Sequence, residues 1–301
     1  MTGTWDRVER LLGTDKLDRL AHAHVAVVGL GSGGGFVALS LAMSGVGRFT
    51  LVDMEPLEQH NLVRHVADAR YLGINKAEAV ADLIHKRNPG AEIRVIADDI
   101  ATHPDALDGI DLLVVGVDGE GTKYKLNEQA LARNLTAVYA GAYARGEGGD
   151  VCVIRPHNGP CYACWSAELR EGIATGPTEE LDYGQIGEGG TLKAEPGLWV
   201  HVTRIASAQA DIALTLLLPD ARPPLPANTL VMANVALEII EGQTTPPHGA
   251  LWVNIARDPH CLVCGDQLHE ANTNAVSLDD LAAAGNIAFE ADESARRMQD
   301  E

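Results

Sequence analysis

A short apolar run that ends in a cluster of glycines constrains this chain more than any other feature. His24-Val-Ala-Val-Val-Gly-Leu is rich in β-branched residues and runs into Gly29-Leu-Gly31-Ser-Gly33-Gly34-Gly35. A continuous apolar run of this length reads as a strand buried on both faces. The pattern G-x-G-x-x-G falls at Gly29, Gly31 and Gly34, between that strand and a stretch of helical spacing at 36–46. Glycine allows a tight turn, close approach of a phosphate and close packing of helix on sheet, and the helix N-terminus offers N–H groups to an anion. Asp53 closes a second predicted strand, 48–53, where a carboxylate accepts hydrogen bonds from ribose hydroxyls. The pattern predicts a nucleotide site, and the Walker spacing G-x-x-x-x-G-K-[ST] is absent from the sequence. A nicotinamide dehydrogenase shares these features, so the identity of the nucleotide rests on the residues beyond Asp53.

The surrounding periodicity predicts an α/β fold. An amphipathic opening (Trp5, Val8, Leu11, Leu12) precedes the first strand. Further strands at 92–97, 111–117 and 137–142 alternate with helices at 75–88 and 122–133, the spacing of a doubly wound parallel sheet. After Gly141 the texture changes. Residues 146–154 and the Pro/Gly/Cys segment behind them predict turns and antiparallel strands. Residues 170–197 read as a long flexible loop, of a length that is usually functional or disordered, 198–218 and 229–240 as helices, and 251–255 as a strand.

Charge removes several functions. With 42 acidic against 23 basic residues the net charge is −19, the wrong sign for gripping nucleic acid or an anionic membrane. Aromatic residues are 4% of the chain, too few for a base-stacking platform. The first 20 residues are charged, and the longest apolar stretches, 25–30 and 212–218, are too short to span a bilayer. These features predict a cytoplasmic protein.

Four of the five cysteines form two C-x-x-C pairs, Cys161/Cys164 and Cys261/Cys264. Each such turn brings two sulfurs within reach of one ion, and two turns complete a closed tetrahedral zinc site of structural type. Redox pairs or buried thiols are the alternative. His157 and His260 flank the pairs and read as supporting or surface groups. Cys152 lies in the alternating stretch Asp150-Val-Cys-Val-Ile and reads as a small core residue.

The stretch Asp53-Met-Glu55-Pro-Leu-Glu58-Gln-His60-Asn61-Leu62-Val-Arg64-His65 separates the nucleotide choices. Hydride transfer has no need of an asparagine and an arginine just past the ribose carboxylate, whereas a triphosphate must be neutralised. Arg64 can do this with a permanently charged fork, and Lys76, on the first turn of the next helix, adds a second positive point. Asp118 lies just past the predicted strand 111–117, at the ligand edge of the sheet, where a carboxylate can hold Mg²⁺.

Taken in order, these segments resemble the ThiF/MoeB/HesA family, bacterial relatives of ubiquitin-activating enzymes. The resemblance covers roughly residues 5–265. It rests on the glycine turn, Asp53, Asn61-Leu62-x-Arg64, and Lys76 in Gly73-Ile-Asn-Lys-Ala-Glu. It rests also on Val117-Asp118-Gly-Glu-Gly-Thr122-Lys123-Tyr124-x-x-Asn127, both cysteine pairs, and Glu195-Pro-Gly-Leu. It implies that Asp53 holds ribose, that Asn61, Arg64 and Lys76 hold the phosphates of ATP, and that Asp118 organises magnesium. It implies that an N-terminal arginine, Arg7 or else Arg10, reaches the partner subunit's site in a homodimer. Three residues depart from the family pattern. Gly119 replaces a usual asparagine, Lys123 a common arginine, and His65 a common glutamine.

The implied function is adenylyl transfer from ATP to the C-terminal glycine of a ubiquitin-like or sulfur-carrier protein. Residues 165–200 hold no cysteine, so no enzyme thioester is expected. The rivals are a tRNA threonylcarbamoyladenosine dehydratase-like enzyme, the nicotinamide dehydrogenase, and a non-catalytic scaffold. The fold expectation is a Rossmann-like, doubly wound, mostly parallel sheet with added antiparallel strands and a zinc-clamped C-terminal part. Residues 1–266 form the adenylation domain, with a nucleotide half at about 20–145 and a zinc and crossover-loop half at about 146–266. Residues 267–301 form an acidic tail or small appended element.

Overall fold

The computed structural model describes residues 3–173, 197–240 and 242–266. The chain divides into two compact units, Met1–Arg257 and Asp258–Glu301. The first opens with two helices, α1 (Asp6–Leu12) and α2 (Thr14–His22), followed by β1 (His24–Val28) and α3 (Gly34–Met43). Then come β2 (Arg48–Val52), α4 (Lys76–His85), β3 (Glu92–Ile96), β4 (Leu112–Val115), α5 (Glu120–Ala132) and β5 (Ala137–Ala142). The remainder is β6 (Gly148–Ile154), α6 (Tyr162–Ile173), α7 (Trp199–Leu217), β7 (Thr229–Ala233), β8 (Leu237–Ile240), β9 (Gln243–Thr245) and β10 (Ala250–Val253).

Among the described residues the main sheet has the order β10-β7-β6-β5-β4-β1-β2-β3. Strands β3, β2, β1, β4 and β5 run parallel, and β6, β7 and β10 extend the sheet antiparallel. The expected mostly parallel sheet with added antiparallel strands is what forms. Alternation along β1 explains why both faces are covered. Val25 and Val27 enter a core with α3, α4 and α7, while Ala26 and Val28 enter another with α5 and α6. The order reverses between β1 and β4, which opens a crevice at their carboxyl ends.

Two expectations fail. Residues 229–240 are not a helix but two strands, β7 and β8, separated by a turn at Asn234. An apolar run without clear period is ambiguous by itself, and pairing of β7 with both β6 and β10 decides it. The segment after β6 is not all turn and strand, because Tyr162–Ile173 is a helix whose Tyr162 and Trp165 are buried against the sheet. Most of the expected loop at 170–197, and the tail 267–301, lie outside the described residues.

Candidate active site

The glycine turn is fixed by contact of backbone on backbone. Gly29 has φ +86°, and a Cβ there would lie 2.7 Å from the carbonyl carbon of Gly116. A Cβ on Gly34 would lie 1.8 Å from the Gly29 carbonyl oxygen, and one on Gly116 2.6 Å from the same oxygen. Strand β1, helix α3 and the end of β4 therefore meet at three bare α-carbons. Gly31 differs: no atom of the described residues lies within 4 Å of its added Cβ, so the turn is open there.

The peptide groups of Leu30 are held from both directions. Its N–H donates to Asp53 Oδ2 at 2.6 Å, and its carbonyl accepts from His65 Nε2 at 2.7 Å. The tautomer follows from the second ring nitrogen: the Ala67 N–H donates to His65 Nδ1 at 3.0 Å, so Nδ1 is the acceptor and Nε2 carries the proton. Burial lowers the His65 pKa, which keeps the ring neutral. The histidine that departs from the family pattern is thus a brace under the turn. Asp53 also accepts from the Glu55 N–H at 2.9 Å. Each of its oxygens retains lone-pair capacity for a hydroxyl.

Past Asp53, the carboxylate that holds both the Leu30 and the Glu55 N–H groups, a cavity of about 140 Å³ is lined by Glu55, Pro56, Glu58, His60, Asn61 and Lys76. The structure brings Asn61 and Lys76 together here. Asn61 closes a capping box on the short helical turn Gln59–Arg64, its Oδ1 accepting from the Glu58 N–H at 2.9 Å. That leaves its NH₂ as the group available to an anion. Asn75 caps α4 through the Ala77 N–H at 2.8 Å and donates to the Asp53 carbonyl at 2.9 Å, which sets Lys76 on the first turn. Lys76 is 6% exposed and its ammonium is ion-paired with Glu55. Arg64 ends the same short turn and is half-buried.

Asp118 stands past the end of β4, exposed, with no hydrogen-bonded or ion-paired partner among the described residues. An exposed carboxylate without a counter-charge at the switch point fits a hydrated divalent cation. Gly119 is the N-cap of α5. The first turn of α5 is tied down by Lys123, which donates to Glu120 Oε1 at 3.0 Å, and by the Tyr162 hydroxyl, which donates to Glu120 Oε2 at 3.1 Å. On α1, Arg7 is exposed without a partner among the described residues, whereas Arg10 is ion-paired with Asp6 at 3.0 Å.

Two polar residues escaped the sequence reading. Asp150, in β6, is buried, and burial raises its carboxyl to about 7 against the opposing pull of the Tyr143 hydroxyl and Lys123. Its signal was present, since alternation puts it on the face of Cys152. Gln209 of α7 is buried and donates to the carbonyls of Val115 at 3.1 Å and Val138 at 2.9 Å, binding that helix to β4 and β5.

The cysteine pairs have separate settings. In the first unit, Cys161 and Cys164 are buried with their sulfurs 3.8 Å apart. That is far beyond a disulfide bond and close to the separation of two thiolates each roughly 2.3 Å from one tetrahedral ion. In the second unit, the Val263 N–H points at Cys261 Sγ at 3.4 Å, as suits a thiolate. Gly265 closes that turn: its N–H donates to the Cys261 carbonyl at 2.8 Å, and a Cβ would lie 2.4 Å from the same oxygen. His157 and His260 are exposed. Cys152 is fully buried and burial pushes its thiol up.

Fold and site together define an α/β nucleotide-binding domain with its crevice at the β1/β4 switch point. The chain belongs to the ThiF family, whose profile matches residues 6–253. It is 33% identical over 185 residues to the adenylyltransferase and sulfurtransferase MOCS3 of Mus musculus, covering 60% of this chain and 38% of that protein. It is 31% identical over 147 residues to the tRNA threonylcarbamoyladenosine dehydratase of Haemophilus influenzae, covering 48% and 55% respectively. The fold matches that of E. coli MccB crystallised with ATP at a TM-score of 0.64 and 21% identity, covering 88% of this chain and 75% of that one. The chain spans well under half the length of its mouse relative.

Proposed function

We propose that this chain activates a carboxylate by adenylyl transfer from ATP. The observation that carries the reading is the convergence of Asn61 and Lys76 on one cavity, tied through the Glu55 N–H to Asp53, the carboxylate that braces the glycine turn. A substrate carboxylate, already ionised at neutral pH, attacks the α-phosphate; the acyl-adenylate forms and pyrophosphate leaves. Asp53 takes the ribose. Asn61, Arg64 and Lys76 take the phosphates, and Arg7 of a second copy of this chain reaches the same site in a homodimer. Asp118 holds Mg²⁺, which when bound neutralises phosphate charge. Positioning and charge compensation supply the catalysis.

The substrate class is the C-terminal glycine of a ubiquitin-like or sulfur-carrier protein. Buried Cys152 supports a route without an enzyme thioester. The two cysteine pairs together hold one structural zinc, supported by the repeated C-x-x-C spacing and by the sulfur separation within the first pair. The adenylation domain is residues 1–266, with 267–301 appended, and its setting is the cytoplasm. Among the described residues no helix is long and apolar enough to cross a membrane.

ATP–pyrophosphate exchange tests the reading. Exchange that requires a protein ending in Gly-Gly is the expected result. Its absence across a panel of such proteins favours the scaffold. The Haemophilus relative keeps a second reading open, that of a tRNA-dependent dehydratase, and ATP consumption that requires tRNA would select it. For the metal, Cys161→Ser is expected to lose zinc and several degrees of melting temperature together, and unchanged metal content would rule out the ligand set.

A further inference from the structure

A second cavity, of about 420 Å³, lies within the first unit between the chain leaving β6, the chain entering β7 and the chain leaving β10. Its place is set by register. Ile154, the last residue of β6, pairs with Ala137, the first of β5. The cavity therefore opens at the amino-terminal ends of the parallel strands, the edge opposite the glycine turn.

Its frame is built from buried hydrogen bonds. Asn228 donates through Nδ2 to the Ile255 carbonyl at 2.7 Å and accepts at Oδ1 from the Ile255 N–H at 3.0 Å. The Thr229 hydroxyl donates to the same Oδ1 at 3.0 Å and accepts from Trp165 Nε1 at 2.9 Å. These bonds fix two of the three walls before any ligand arrives, as in pockets that are largely pre-formed.

The lining is cationic in an acidic protein. Arg155, Arg257, Asn158 and Asn254 line it, and among the described residues no carboxylate does, although the chain carries 42 acidic residues. Arg155 is half-buried, and its guanidinium has no hydrogen-bonded or ion-paired partner among the described residues. Burial lowers its pKa, with no carboxylate among the described residues to offset it. A guanidinium taken partly out of water without a counter-charge is an unrecovered cost that an anion removes, and its planar fork suits carboxylate and phosphate alike.

We propose that this cavity is a second, oxyanion-binding site for a small phosphate- or carboxylate-bearing molecule, with Arg155 as its principal cation. The proposal stands independently of the adenylation reading, because it uses no residue of the glycine-turn edge.

Calorimetric titration of the full chain with inorganic phosphate and, separately, with citrate tests it, with thermal melts confirming that each variant folds. Saturable binding of at least one probe is expected, and the tighter probe assigns the ligand to phosphates or to carboxylates. Arg155→Gln should weaken that binding at least tenfold, and Arg155→Lys should restore part of it. Equal affinity in wild type and Arg155→Gln, or no binding of either probe to wild type, overturns the proposal. So does a signal lost in Arg64→Gln and kept in Arg155→Gln, since that anion sits at the glycine-turn edge.

Discussion

The parallel half of the sheet and its antiparallel extension place polar groups in opposite ways. In β1 and β4 every inward position is apolar, and polarity begins only where the strands end, at Asp53 after β2 and Asp118 after β4. In the extension, β6 buries Asp150 within the strand, and buried Asn228, Thr229 and Asn234 bracket β7. Arg204 of α7 adds donors to the Ala233 carbonyl at 2.7 Å and the His248 carbonyl at 2.8 Å. Apart from Thr50, buried in β2 and hydrogen-bonded to His24 at 3.0 Å, the parallel half keeps the polar groups of its strands at an edge, where a ligand can meet them. The extension spends them inside, on holding strands and turns together.

That contrast can be broken at its strongest point first. Gly34→Ala forces a Cβ into the Gly29 carbonyl, so thermal melts should show a loss of at least about 3 kcal/mol, or failure to fold. A variant of normal stability would mean that the three-glycine contact is not a constraint. Asp118→Ala changes an exposed edge group. It should leave the melting temperature within about a degree and lower pyrophosphate exchange by roughly 100-fold or more. Retained exchange would remove Asp118 from the mechanism.

Asp150→Asn probes the other half. The folded carboxyl titrates at about 7 against a reference of 3.8, so between those values the unfolded chain releases a proton that the folded one retains. Stability falls as pH rises through that window and levels off above 7. Asparagine keeps an acceptor for the Tyr143 hydroxyl and cannot ionise. The variant should gain between about 1 and about 4 kcal/mol at pH 8 and nothing near pH 3.5, read from denaturant melts at both pH values. An equal effect at both would show that Asp150 does not titrate in this range. Gly31→Ala should change stability by less than about 1 kcal/mol while weakening ATP binding, measured by calorimetry.

The same contrast explains what could be read in the sequence. The strand, turn and helix around Gly29–Gly34 were legible because each local signal agrees with its neighbours: β-branched run, glycine spacing, helical period. Asp53 and Asp118 were placed at strand ends by the same logic. The segment 229–240 was misread because Leu230–Ala233 is apolar without a period that separates strand from helix, and its partners β6 and β10 are distant in sequence. His65 was noticed as a departure, yet its contact with the Leu30 carbonyl spans 35 positions that no local pattern encodes. Gln209 reaches two strands across the sheet and offers no local cue at all.

In the proposed reaction, Lys76 would meet an incoming phosphate with its charge already answered by Glu55. Occupation of that spot is then a swap of one anion for another, with the displaced carboxylate turned out to water. Such an exchange releases fewer bulk ions than capture by a bare ammonium would, so affinity should depend only weakly on ionic strength. On that proposal, Glu55 is the resting protein's stand-in for a phosphate.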